Sequence, residues 1–169
     1  MVTDKVLVAY ATRYGSTKEI AEEIAQVLSE SGVAAEVANV MDVDLLEGYG
    51  AAIIGSPIYM GKCLPEAVDF VRQFQTPLRH IPVALFVVGF SMKEPTEENR
   101  RHALASIEAI KPYLHPLDVG IFSGKMVIED LEVPDRQIVT MAGEVGGDFR
   151  DWDEIAGWAG GLITVFAKR

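Results

Sequence analysis

Of 169 residues only one is cysteine, Cys63, and only three are histidine. A lone thiol closes no internal disulfide, and the histidines are too scattered for a CxxC or HExxH zinc pattern, so no metal site is expected. Basic residues are also in short supply. Fifteen Lys and Arg stand against twenty-five Asp and Glu, a net charge of −10 with histidine neutral. Such a surface repels phosphate backbones, which excludes nucleic acid as the main partner. No apolar run approaches the length needed to span a bilayer; the longest is Val83 to Phe90, so no stable membrane insertion is expected. The opening stretch, MVTDKVLVAY, has no basic segment and no long apolar run, and so reads as cytoplasmic, not as a signal peptide. Low-complexity linkers and internal repeats are absent as well. What remains is 49% hydrophobic and 24% charged, a globular composition, and the length suits a single domain over 1–169.

Short β-branched runs alternate with longer helical patterns, which predicts βαβ units and a parallel sheet. The runs are Lys5–Tyr10, Ala35–Val40, Ala51–Gly55, Val83–Gly89 and Val119–Ser123, mostly apolar throughout, as strands covered on both faces must be. Between the first two, Ile20, Ile24, Val27 and Leu28 form one stripe of a helix over Ser16–Ser31, stopped by Gly32. Pro65 suits a first helical position ahead of Val68, Val71 and Phe74. A further helix starts at Thr96 and buries Leu104, Ile107, Ile110 and Leu114. The last starts near Asp151, with Glu154 completing a capping pair and Ile155, Trp158, Leu162 and Phe166 on its stripe. One connection, 125–148, is too long for an ordinary βα loop and carries Pro134, Gly143, Gly146 and Gly147; a short helix fits after Pro134.

In open parallel sheets ligands bind beyond the carboxyl ends of the strands. Three loops meet there: residues 11–17, 56–62 and 90–95. The first is rich in hydroxyls and opens straight into a helix, whose N–H groups and positive dipole end favour a phosphate. Thr12, Ser16 and Thr17 supply short donors, and Gly15 allows close approach of the backbone. Ser16 or Thr17 acting only as a helix cap is the equally weighted alternative. Neither GxxxxGK[ST] nor GxGxxG is present, so a triphosphate or dinucleotide site is not expected. A phospho-aspartate receiver fails because Tyr10-Ala11 and Gly55-Ser56 stand where acids are needed. A nucleophile elbow also fails, since Gly61-Lys62-Cys63-Leu64-Pro65 ends in proline. No catalytic residue is singled out.

The stretch Thr12-Arg13-Tyr14-Gly15-Ser16-Thr17 resembles the phosphate loop of flavodoxins, with Thr12, Gly15 and Thr17 matching and Tyr14 in place of the middle threonine. Ser56-Pro57-Ile58-Tyr59-Met60-Gly61-Lys62 is similar to that family's second loop, which folds over the flavin ring. Within the superfamily the likeness is greatest to the menaquinone-dependent protoporphyrinogen oxidase group, through the Thr-Arg-x-Gly phosphate loop, the second loop and a last helix announced by Asp151-Trp152.

The resemblance implies an α/β flavodoxin-like three-layer sandwich, a five-stranded parallel sheet of order 2-1-3-4-5, and noncovalent FMN. Residues 12–17 would hold the phosphate. Ser56 to Lys62 with Val88, Gly89 and Phe90 would border the ring, Tyr59 as a stacking candidate and Lys62 as a charge near it. The role implied is electron transfer, as carrier or FMN-dependent oxidoreductase, with a redox partner protein or a quinone; homo-oligomer formation stays open. In that group the insert before the last helix is rich in Arg, Lys and aromatics. Here 125–148 has no aromatic residue and carries Glu129, Asp130, Glu132 and Asp135. The expectation is therefore a basic protein partner steered by acids in preference to a porphyrin, with protoporphyrinogen oxidation and a flavin-free interaction module as alternatives.

Overall fold

A computed structural model describes residues 5–168. Its sheet is built from β1 (Lys5–Tyr10), β2 (Ala35–Asn39), β3 (Tyr49–Tyr59), β5 (Val83–Gly89) and β6 (Asp118–Ser123). These five are parallel neighbours in the spatial order β2-β1-β3-β5-β6, which is the 2-1-3-4-5 order of the five runs. The helices are α1 (Ser16–Glu30), α2 (Pro65–Gln73), α3 (Gln75–Leu78), α4 (Glu97–Ala105), α5 (Val133–Met141) and α6 (Trp152–Ala167).

Alternation within β1 shows why there are three layers. Val6, Val8 and Tyr10 pack toward α1 and α6 with Ile20, Ile24, Ile155 and Leu162. Leu7 and Ala9 pack toward the other face with Phe70, Val71 and Leu78. Every second side chain points to the opposite face of a strand, so a strand apolar at each position must be covered twice.

Two details depart from the sequence reading. The helix from Thr96, whose hydroxyl accepts from the Asn99 N–H, stops at Ala105 and leaves Leu104 exposed. The chain then proceeds by tight turns, with the N–H of Ser106, Ile110 and Tyr113 bonding three residues back, and these still bury Ile107, Ile110 and Leu114. Three two-residue strands also escape any periodicity: β4 (Lys62–Cys63), β7 (Lys125–Met126) and β8 (Gly147–Asp148).

The long connection is ordered. β7 and β8 pair antiparallel and close its base. Arg150 fastens that base to α1, donating to Asp148 at 2.7 Å and to Glu19 at 3.1 Å. Arg136 donates to the carbonyls of Ile128, Glu129 and Leu131, fixing the turn that leads into α5.

Candidate functional site

A cavity of about 300 Å³ opens at the carboxyl ends of β1, β3 and β5, under the long connection. The first loop lines it with Thr12, Arg13, Tyr14, Ser16 and Thr17. Pro57, Ile58, Tyr59 and Met60 form a second wall, and Val88 and Phe90 a third. The remaining sequence-derived candidates, Gly15, Ser56, Gly61, Lys62 and Gly89, do not line it. Ser56 instead accepts the Leu64 N–H at 2.9 Å through its hydroxyl and ties the second loop to α2. Gly89 lies beneath Ile58, whose Cδ1 would be 3.1 Å from a Cβ placed there. Lys62 is exposed beyond the turn.

The first loop is shaped by Thr12, whose hydroxyl accepts the Gly15 N–H at 2.9 Å, and by Gly15 itself at φ +95. Helix α1 then starts without a side-chain cap, whereas Thr96 and Asp151 cap α4 and α6. Neither Ser16 nor Thr17 is therefore spent as a cap. Thr17 is 1% exposed, faces the cavity, and its hydroxyl has no side-chain hydrogen bond among the described residues. An uncapped N-terminus beside a threonine that lines the cavity and whose hydroxyl is not engaged by another side chain is a ready anion site.

In the second loop Met60 and Gly61 both have positive φ, at 51 and 80, and form the two-residue turn that joins β3 to β4. A side chain in this left-handed region costs roughly 1–2 kcal/mol, and asparagine tolerates it best after glycine. Met60→Asn is accordingly expected to raise the melting temperature by about 2–4 °C per kcal/mol recovered, readable by calorimetry. Met60 is also 77% exposed at the cavity mouth, so an apolar side chain is held out to solvent in an unfavourable backbone state.

The fourth wall comes from the long connection. Gly124, Lys125, Met126, Leu131, Asp135, Ile138 and Val139 line the cavity, and none was singled out from the sequence as a site residue. Asp135 is 7% exposed and accepts from the Tyr14 hydroxyl, the Tyr59 hydroxyl and Arg13 Nε, the last at 2.9 Å. Arg13 also reaches Glu132 at 3.2 Å and lies over the Tyr59 ring, 4.5 Å from its centre. Burial pushes the Asp135 carboxyl up, but hydrogen bonds from Tyr14, Tyr59 and Arg13 and the guanidinium charge outweigh it and hold the value below the ordinary aspartate range. Hydrogen bonding to Asp135 raises Arg13 in turn.

The groups bonded to this carboxylate are Arg13, Tyr14 and Tyr59, and Glu132 shares the Arg13 guanidinium. Because the folded value is depressed, the stabilisation is fully present above the ordinary aspartate value and is lost as pH falls through the folded one. Protection of α5 amides from hydrogen exchange is expected to hold from neutral pH down to the carboxylate range and to fall below it, a decline that Asp135→Asn removes.

At the far end of the connection Lys93 pairs with Glu144 at 2.8 Å and sits 4.6 Å from the Phe90 ring centre. The long connection thus touches both the first and the third loops.

The flavodoxin domain family matches residues 7–153. The chain belongs to that family. A relative described as protoporphyrinogen IX dehydrogenase [quinone], from Escherichia coli (strain K12), is 25% identical over 167 residues, covering 92% of each chain. One of the same description from Leishmania major is 24% identical over 151 residues, 87% of this chain and 65% of that one. Among solved structures, a short-chain flavodoxin associated with a non-canonical PDU bacterial microcompartment superposes with a TM-score of 0.60 at 17% identity, covering 96% of this chain and 99% of that one. The fold is therefore flavodoxin-like, and family membership implies FMN as cofactor. The uncapped start of α1, with Thr12, Ser16 and Thr17 lining the cavity beside it, fits its phosphate, and the largely apolar walls fit its ring. No helix among the described residues is long and apolar enough to cross a membrane.

Proposed function

We propose that this flavodoxin-like domain holds FMN with its phosphate against residues 12–17 and its ring between 57–60 and 88–90, and exchanges electrons with an apolar, quinone-class partner. The observation that carries the partner is the mouth of the cavity. Met60 and Ile138 line it and are exposed, and Met141 and Val145 of the same connection are 88% and 87% exposed. Apolar side chains kept in water around a site gain by being covered, which favours a flat hydrophobic reactant.

The acids that favoured a basic protein partner are largely engaged. Asp135 and Glu132 face Arg13, and Glu144 faces Lys93. Among the described residues, Glu129 and Asp130 of the connection's acidic run are exposed and form no ion pair within 4 Å. Arg13 is likewise committed to Asp135, so a carboxylate-bearing porphyrin would find Lys125 as the cavity's other cation.

When bound, the cofactor supplies one- and two-electron redox chemistry, while the protein sets access and potential. Thr12 shapes the phosphate loop through Gly15, and Ser16 and Thr17 present hydroxyls with the helix N–H groups. Ser56 supports the ring loop through Leu64, Gly61 through the tight turn, and Lys62 through its backbone pairing with Tyr59 across that turn. Gly89 leaves room for Ile58. Tyr59 is held by Asp135 and Arg13 and is therefore oriented before any ring arrives.

Protoporphyrinogen oxidation is the second reading, favoured by the 25% identity over nearly the whole chain to a relative of that name. One experiment separates the two. Purified protein is loaded with FMN, reduced, and mixed in a stopped-flow instrument with a menaquinone analogue, and separately oxidised protein is mixed with protoporphyrinogen. Rapid flavin reoxidation by the quinone with little dependence on salt supports the proposal. Rapid porphyrin formation establishes the second reading, and reoxidation only by a basic protein, slowed by salt, overturns the quinone assignment. Size-exclusion chromatography of the same sample reads whether the apolar rim pairs two copies.

A further inference from the structure

Helix α5 is attached in an unusual way. A surface helix docks by an apolar stripe, yet Val133, Ile138 and Met141 are exposed and the one buried residue of this helix is Asp135. Its carboxylate receives Arg13 and Tyr14 from the first loop and Tyr59 from the second. One side chain thus joins three walls of the cavity. The connection is fixed independently at its base by the β7–β8 pair and at its far end by Glu144 on Lys93. Among the described residues the connection's other ties to the first loop both come from exposed Glu132, whose carboxylate accepts from Arg13 at 3.2 Å and whose N–H donates to the Tyr14 hydroxyl at 3.3 Å. Bonds converging on one charged group are strong together and are lost together. The apolar contact sacrificed if α5 swung away on its fixed ends is confined to Leu131 just ahead of the helix and to Ile138 and Val139 at the cavity wall.

We propose that Asp135 is a latch that holds α5 closed over the flavin cavity and so governs the exchange of FMN with solvent. The closed arrangement retains the cofactor, and release requires the carboxylate to leave Arg13, Tyr14 and Tyr59. Asp135 is in this sense a positioning residue: it acts through the three donors and through the lid it carries. The inference rests on the FMN reading above.

The test follows FMN fluorescence as the loaded protein is diluted, and compares the parent with Asp135→Asn, which keeps the shape and removes the charge. Release is expected to quicken about tenfold, equivalent to about 1.4 kcal/mol. In flavin-free protein, tryptic cleavage after Arg136, identified by mass spectrometry, is expected to quicken as well. Arg136 follows Asp135 in α5 and is held by the carbonyls of Ile128, Glu129 and Leu131, so cleavage there requires this turn of the helix to leave the cavity wall and unwind. A merely structural role would lower the melting temperature without a selective rise at this one bond. The double variant Tyr14→Phe, Tyr59→Phe removes two donors and keeps Asp135, and it carries the test if Asp135→Asn does not fold.

Unchanged release in the folded variants overturns the latch. Faster cleavage with unchanged release overturns it too, since α5 would then open without gating the cofactor. A parent protein that takes up no FMN sinks the FMN reading, and the gate with it. That case stands apart, because the cleavage arm still reports whether Asp135 holds the helix.

Discussion

Replacing Thr17 by valine is expected to weaken FMN binding ten- to a hundredfold and to leave riboflavin binding almost unchanged. The substitution keeps volume and β-branching, so the second residue of α1 remains helical. What is lost is the hydroxyl of a residue that is 1% exposed and lines the cavity, a hydroxyl that bonds no side chain among the described residues. A hydrogen bond to a charged group contributes roughly 1.5–3 kcal/mol, and each 1.4 kcal/mol is tenfold in affinity. Riboflavin carries the same ring and no phosphate, so it reports on everything except the contact removed. Fluorescence titration of flavin-free protein with both ligands makes the comparison. Equal losses for the two would mean that Thr17 packs against the ring or the helix, and that the anion site lies elsewhere. A parallel measurement on Thr12→Val separates direct contact from loop shaping. Thr12 accepts the Gly15 N–H, so its loss is expected to affect both ligands through the loop.

The strands of the sheet were legible because the evidence for them is local, while their order came from the resemblance to flavodoxins. Each long strand is a β-branched run, and burial on both faces leaves the same mark at every position, as in Val6 to Tyr10. Helices α1 and α6 announced themselves by stripes, although Trp158 is only partly buried. The boundary of α4 was not legible, since Ile107, Ile110 and Leu114 keep helical spacing while the backbone takes tight turns. The two-residue strands β4, β7 and β8 are too short to show any period.

For the site, the loops that line the cavity could be placed from hydroxyls and strand ends, because each is one contiguous stretch, and the roles proposed for them come from the resemblance to flavodoxins. Asp135 could not. In the sequence it is one of four acids in a solvated-looking segment. Its burial depends on Tyr14, Arg13 and Tyr59, which lie 121, 122 and 76 residues away. Only the length of the connection hinted that it returns to the site. The same long-range pairing reversed the expected electrostatics: acids that read as a docking surface turn out to face Arg13 and Lys93.

Gly55→Ala is expected to be the most damaging single methyl that can be added to this protein's sheet. Gly55 sits in β3, between Tyr10 of β1 and Phe86 of β5. A Cβ there would come within 2.0 Å of Phe86 Cζ, an overlap that requires the ring or the strand to move. The ring has little freedom, being fully buried and packed near Phe122 and Trp158, each with centres 6.2 Å away. Overpacking of a close-packed core costs about 1–3 kcal/mol and more when neighbours cannot yield. A loss at the upper end, roughly 3 kcal/mol, corresponds to about 6–12 °C in melting temperature for a domain of this size. Adding Phe86→Leu should restore much of the loss, because the two side chains compete for one volume, and a double-mutant cycle measures the coupling directly. Additive losses would place the strain in the backbone and not against Phe86. The consequence reaches the cofactor loops as well. The Gly55 carbonyl accepts the Ala11 N–H at 2.9 Å, and the next residue, Ser56, opens the ring loop, so a displaced Gly55 moves the roots of two cavity walls together. FMN affinity in Gly55→Ala should fall along with stability, and recovery of both in the double variant would tie the geometry of the site to the fit of this one glycine under its phenylalanine.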